Sequence, residues 1–245
     1  MTFRERLRGL SSERRSRVIL ALDIPITEPA EGLERAIRIL EQTSDKIAAV
    51  KLNQQVILPL GMAGVRDIVD HCKGLGLPCI ADLKLGDIGD TNRVVAQLLF
   101  KNGFDALIAS PLPGVEDGLA PLMELAGAEG RGVFLLVYMS HRGAREVFGA
   151  ELSSGGKLYH RFIEMSKTLS VDGVVVGATW PSILREVRSL LGPEALILAP
   201  GVGVQGGRED VVSCGADFAI VGRAVVNAPH PRDVVERIRR ANWSD

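Results

Sequence analysis

The stretch Ala81-Asp82-Leu83-Lys84-Leu85-Gly86-Asp87-Ile88-Gly89-Asp90-Thr91-Asn92 reads as a strand handing over to a helix. The apolar run that leads into it from Pro78 has strand length, and Val94, Val95, Leu98 and Leu99 follow it at helical spacing. Side chains alternate along a strand, so Asp82 and Lys84 project from one side, about 7 Å apart in rise, and Asp87 falls past the strand's end. In α/β folds such handover points are where chemistry usually occurs. An ion pair that merely tethers a loop would read the same way, so the remainder of the chain has to decide.

Working outward, apolar runs of strand length recur at 17–23, 47–53, 78–84, 106–110, 132–140, 173–178, 196–201 and 218–222. Amphipathic helices are predicted between them over 31–41, 64–74, 91–102, 116–126, 157–169, 182–191 and 207–214, and 233–240 closes the series. This alternation, in 245 residues without a repeat or a low-complexity tract, predicts an α/β fold of one domain, a single (β/α)8 TIM barrel. The barrel is assigned to residues 17–245 and an N-terminal arm or helix to 1–16.

With 46% hydrophobic and 24% charged residues the composition is that of a globular domain. A net charge of −1 provides no overall field for nucleic acid or an anionic membrane, so an anionic ligand must be held by local groups. No apolar run approaches the roughly 18 residues of a membrane span. Residues 1–17 contain six arginines alongside Glu5 and Glu13 and lack an apolar core, unlike a secretory signal. They read as a solvated helix or arm packed below the barrel, with an interaction tail as the other reading. Three cysteines without a Cys-x-x-Cys pair suit a reducing, cytoplasmic setting, and four scattered histidines give no zinc spacing.

In such a barrel the active site lies at the carboxyl ends of the strands, and polar residues collect there. The first strand ends in Asp23, the second in Lys51-Leu52-Asn53, the fifth in Ser140-His141-Arg142, and the eighth in Gly222-Arg223. The seventh runs into Gly201-Val202-Gly203-Val204-Gln205-Gly206-Gly207. That loop matches Gly-x-Gly-x-x-Gly, but a dinucleotide site calls for an acidic residue about 20 positions on, where this chain has Gly222-Arg223-Ala224. A phosphate cup fits the context better, because the loops after strands seven and eight of such barrels commonly bind phosphate. Gly203, Gly206 and Gly207 would allow close backbone approach, with Gln205 and Arg223 as side-chain donors; a flexible loop beside a surface arginine is the bland alternative.

Ser140-His141 lacks the Gly-x-Ser-x-Gly elbow of a hydrolase, so Ser140 reads as a hydrogen-bonding residue and His141 as a loop residue. Asp23 and Lys51 bring the rim to two lysines and three aspartates. Alternating charges hold one another ionised, and an ordinary core would not bury such a group.

These residues resemble the orotidine 5′-phosphate decarboxylase family over nearly the whole chain after the first fifteen or so residues. The most specific part is Asp82-x-Lys84-x-x-Asp87-Ile88-x-x-Thr91. Ala21-Leu22-Asp23, Val50-Lys51-Leu52-Asn53, Met139-Ser140-His141, Pro200 to Gly207 and Val221-Gly222-Arg223 support it. The resemblance implies decarboxylation of orotidine 5′-phosphate to uridine 5′-phosphate, the last step of de novo UMP synthesis, without metal or cofactor. It implies Lys84 as the proton donor to C6, flanked by Asp82 and by Asp87 from the other subunit of a homodimer. Lys51 and Asp23 would bind ribose hydroxyls, with Thr91 of the partner subunit also at the ribose. Ser140 would contact the pyrimidine, while Gln205, the Gly222 N–H and Arg223 hold the phosphate. Two positions depart from the pattern: Gly89 stands where many members have proline, and Trp180 follows Thr179 where some have arginine.

Three other readings use the same residues. A magnesium-dependent sugar-phosphate decarboxylase of this superfamily carries a glutamate ligand where Lys51 stands. A Schiff-base aldolase needs Lys84 as a free amine, which neighbouring carboxylates disfavour relative to the ammonium. A ligand-binding barrel that has lost catalysis would not need the whole charged set.

Overall fold

The computed structural model describes residues 1–203 and 205–243. Eight parallel strands close into a barrel in sequence order. In chain order the elements are α1 (Phe3–Arg14), β1 (Val18–Ala21), α2 (Pro29–Thr43), β2 (Ala49–Asn53), α3 (Gln54–Gly74), β3 (Cys79–Leu85) and α4 (Gly89–Lys101). Then follow β4 (Ala106–Ala109), α5 (Ala120–Ala128), β5 (Gly132–Tyr138), α6 (Ala144–Val147), α7 (Leu158–Thr168), β6 (Gly173–Val176) and α8 (Pro181–Leu191). The chain closes with β7 (Leu196–Pro200), β8 (Phe218–Val221), α9 (Arg223–Val226) and α10 (Pro231–Asn242).

The strands are short and apolar because both faces are covered, one by the barrel interior and one by the helix ring. Every residue of β1, β4, β5, β6 and β8 is buried. The helices bury one stripe each: Ala36, Ile39, Leu40 and Thr43 of α2, and Leu184 and Val187 of α8, recur at three- and four-residue spacing.

The amino ends of the strands are tied by three aspartates, each standing just before an even-numbered strand. Asp105 accepts from the N–H of Cys79 at 2.9 Å, Asp172 from Val133 at 3.0 Å, and Asp217 from Ile197 at 2.7 Å. Each carboxylate therefore bridges a strand to the one before it. Helix α1 lies across the same end. The Phe3 ring meets Phe134 edge-on at 6.0 Å, Leu7 is buried, Arg6 binds Asp105, and the N–H of Arg4 donates to Asp172 at 2.9 Å. Thr2 and Glu5 form its capping box.

Several boundaries differ from the sequence expectation. The helix expected over 64–74 begins at Gln54, capped by the Asn53 side chain, and is broken at Gly61, where φ is +61°. The segment expected to be helical over 116–126 starts only at Ala120, after an irregular turn with Asp117 at φ +52°. No helix forms over 207–214, only a single tight turn at Val212–Cys214. There the chain bonds to itself and its neighbours instead: Asp210 accepts from the Ser213 N–H at 3.0 Å, and Asn242 of α10 accepts from the Val211 N–H at 3.0 Å.

Candidate active site

At the carboxyl ends of the strands lies a cavity of about 230 Å³. Its floor is apolar, formed by Ala21, Ile108, Leu136, Val175 and Ile220 from five strands. One wall carries charge: Asp23 just past β1, Lys51 on β2, and Asp82 and Lys84 on β3. Across from it stand Ser140 and Gln205, while Gly222 and Arg223, at the end of β8, adjoin Asp23. Eight of the residues singled out in the sequence thus meet in one place, although they come from six strands' ends and span two hundred residues of chain.

Asp82 is the centre of the charged wall. Its Oδ2 lies 2.8 Å from Lys51 Nζ and its Oδ1 lies 2.8 Å from Lys84 Nζ, while Lys51 also reaches Asp23 at 3.4 Å. Burial raises the Asp82 pKa, but the Lys51 and Lys84 ammonium groups outweigh it and hold the carboxyl below the usual range. Burial likewise works against the Lys51 ammonium, and the Asp82 and Asp23 carboxylates overcome it, leaving the lysine above its ordinary value. Lys51 is thereby a fixed cation. Lys84 is the exposed end of the chain of charges, its side chain 37% accessible against 10% for Asp82 and 5% for Lys51.

Lys84 also has left-handed backbone, at φ +49°. The β3–β4 pairing shifts register between Ala81 and Leu85, the interval that contains this lysine. For a residue with a Cβ this conformation costs about 1–2 kcal/mol. The surrounding ladder and the Asp82 contact hold it there, and sequence alternation alone gave no sign of it.

The facing wall is closed by one direct bond, Ser140 Oγ donating to Gln205 Oε1 at 2.6 Å. In the loop carrying Gln205, Gly203 and Gly206 adopt φ of +77° and +83°. Their N–H groups and that of Gly207 donate to carbonyls of Gly207, Gly203 and Gly201. The three glycine amides expected to cup an anion are engaged within the loop, which leaves the Gln205 side chain, Gly222 and Arg223 as the groups at the cavity. Val204, part of the same motif, lies outside the described residues.

Asp87 and Thr91 are exposed and do not line this cavity. Asp87 Oδ1 accepts from the Ile88 N–H at 2.7 Å, and Asn92 holds the turn by accepting from the Asp87 N–H at 3.1 Å and donating to the Gly118 carbonyl at 3.1 Å. Around these residues Ile88, Val94, Leu98 and Leu112 are 66%, 65%, 48% and 66% exposed. The departure at Gly89 has a local reason. A Cβ there would stand 2.7 Å from Pro121 and 2.8 Å from the Asp117 carbonyl, so the α4–α5 contact requires glycine.

Asn53 also lines the cavity; it stood at the rim in the sequence but had no role assigned. Met139 and Ala224 line it too; both stood beside site residues in the sequence but, being apolar, had no role assigned. Among the described residues no three His, Cys, Asp or Glu side chains converge as metal ligands, and no helix is long and apolar enough to cross a membrane.

Residues 16–238 match the family described as orotidine 5′-phosphate decarboxylase / HUMPS. The chain is 38% identical over 224 residues to the orotidine 5′-phosphate decarboxylase of Thermococcus kodakarensis, covering 91% of this chain and 95% of that protein. Among solved structures it resembles the orotidine 5′-monophosphate decarboxylase of Methanocaldococcus jannaschii complexed with the inhibitor BMP. The TM-score is 0.80 at 28% identity, covering 92% of this chain and 98% of the other. It also resembles Leishmania donovani UMP synthase, with a TM-score of 0.86 at 28% identity, covering 98% of this chain and 55% of that longer one.

Proposed function

Since the chain belongs to the orotidine 5′-phosphate decarboxylase / HUMPS family, we propose that it converts orotidine 5′-phosphate to uridine 5′-phosphate and CO2, closing UMP synthesis. The observation that carries this reading is the Lys51–Asp82–Lys84 chain of charges at the mouth of an apolar-floored cavity.

When the C6–carboxylate bond breaks, its electron pair stays on C6 in the ring plane, where the π system cannot delocalise it. The protein must then stabilise that charge directly. Lys84 ammonium, at the exposed end of the charge chain, stabilises the developing carbanion and transfers a proton to C6. Asp82 positions the ammonium and, beside the substrate carboxylate, adds repulsion relieved as CO2 leaves. Lys51 keeps Asp82 ionised and, with Asp23, binds the ribose hydroxyls. Ser140 contacts the pyrimidine, and Gln205, the Gly222 N–H and Arg223 hold the phosphate, whose binding energy aligns the ring.

We read the reaction as independent of metal and cofactor. Lys51 supplies a cation where the magnesium-using relatives need an acidic ligand. We also read the active unit as a homodimer in which Asp87 and Thr91 complete the neighbouring subunit's site. Support comes from the exposed apolar residues Ile88, Val94 and Leu98 that bracket them. Three buried free cysteines suit a reducing, cytoplasmic location. Incubation with orotidine 5′-phosphate and identification of uridine 5′-phosphate and CO2 in equal amounts tests the assignment; unchanged substrate would reject it.

A further inference from the structure

Beyond the last ladder pair of β5, Tyr138 with Val176, the chain runs on through Met139 and Ser140 toward the cavity. Two carbonyls there have left the sheet and need partners elsewhere. Both find them on one segment after β6. Trp180 Nε1 donates to the Met139 carbonyl at 2.8 Å, and Thr179 Oγ1 donates to the Ser140 carbonyl at 2.7 Å. The indole is itself held on two sides. Tyr138 meets it edge-on at 5.7 Å, and the Arg145 guanidinium sits over its ring at 4.4 Å. The end of β5, the segment after β6 and helix α6, which carries Arg145, are thus joined at the Trp180 side chain, whose acceptor Met139 is one residue from the serine that bonds Gln205 at 2.6 Å.

We propose that Trp180 is a positioning residue for the ring-binding wall: its indole N–H, reinforced by Thr179 and by the Arg145 stack, fixes where Ser140 stands in the cavity. The carbonyl contacts constrain the backbone on both sides of the Ser140 amide-to-carbonyl unit, so the hydroxyl's direction toward the cavity follows from them. This rests on the reading that Ser140 contacts the pyrimidine. It extends that reading to a residue that does not itself line the cavity.

A double-mutant cycle tests it. Trp180→Phe keeps a ring for Tyr138 and Arg145 but removes the donor to Met139, and should lower kcat/KM for orotidine 5′-phosphate about tenfold, the size expected for one lost buried hydrogen bond. Ser140→Ala lowers it independently. If Trp180 acts through Ser140, the double variant is no worse than Ser140→Ala alone. A merely structural tryptophan would instead cost the same factor in both backgrounds, and that result, or a fully active Trp180→Phe, overturns the proposal. Arg145→Met, at an exposed position, repeats the cycle without risk to the core: a smaller loss that vanishes in the Ser140→Ala background is expected, and a loss that persists counts against the clamp. The wild type is assayed alongside, and the same cycle is read in the Kd for uridine 5′-phosphate. Wild-type protein that binds the nucleotide without turnover would refute the decarboxylase reading, whereas additive losses in Kd would refute the clamp.

Discussion

Lys51 Nζ lies 2.8 Å from Asp82 Oδ2 with both side chains nearly removed from solvent, at 5% and 10% accessibility. Buried pairs of this kind are costly to break from one side, because the remaining charge stays desolvated. Among the described residues, Asp82→Asn leaves Lys51 the Asp23 carboxylate alone, at 3.4 Å, and removes the carboxylate that Lys84 pairs with. The variant should lose about 3 kcal/mol of stability in urea unfolding. Its turnover should fall roughly 10²–10³-fold, as when a preorganised electrostatic partner is removed.

The same pair sets a pH window. Asp82 has its pKa lowered from 3.8 on folding, so its stabilisation is complete above that value and is lost as pH falls through the lower folded one. Lys51 is raised from 10.5, so its share is complete below that value and is lost as pH rises through the higher folded one. The stability difference between wild type and Asp82→Asn should be level from about pH 5 to 9 and shrink in acid. Unfolding curves at a series of pH values check this; a difference that titrates near neutrality would mean another group controls the pair.

Arg223 reaches the cavity where β8 gives way to α9. Arg223→Ala should raise KM for orotidine 5′-phosphate about 10- to 100-fold, the worth of a charge-assisted bond to phosphate. The rate with orotidine, which lacks the phosphate, should change little. Equal losses with both substrates would mean the arginine supports the fold and not the phosphate.

Much of this site was legible because its chemistry is concentrated at strand ends. Asp82 and Lys84 could be placed on one side from alternation alone, and the apolar runs marked all eight strands. The left-handed backbone of Lys84 could not be seen, since a left-handed lysine has no local signature, and it falls where the β3–β4 register shifts. The loop amides of Gly203, Gly206 and Gly207 were expected to be available, but a glycine-rich sequence does not reveal that the loop closes on its own carbonyls. Gly89 and Trp180 looked like departures from a pattern. Each is answered by a residue distant in sequence: Pro121 fills the space over Gly89, and Met139 accepts from Trp180.

Asp87 stands outside the cavity on a face with Val94 and Leu98 exposed. Placing a glutamate at Leu98 should shift the protein toward monomer in sedimentation and remove most activity. Separately, Lys84→Ala and Asp87→Ala proteins, each inactive, should regain activity on subunit exchange, because each mixed dimer contains one site with both residues intact. Exchange without recovery would show that the two residues do not serve a shared site.

The most direct measurement of the central claim is the absorbance change on adding orotidine 5′-phosphate to the protein in EDTA, with Lys84→Ala alongside. Loss of substrate absorbance by the wild type at a rate EDTA does not alter, together with no detectable change for folded Lys84→Ala, is the predicted result. No turnover by folded wild type, turnover abolished by EDTA, or a Lys84→Ala protein that still decarboxylates would contradict it.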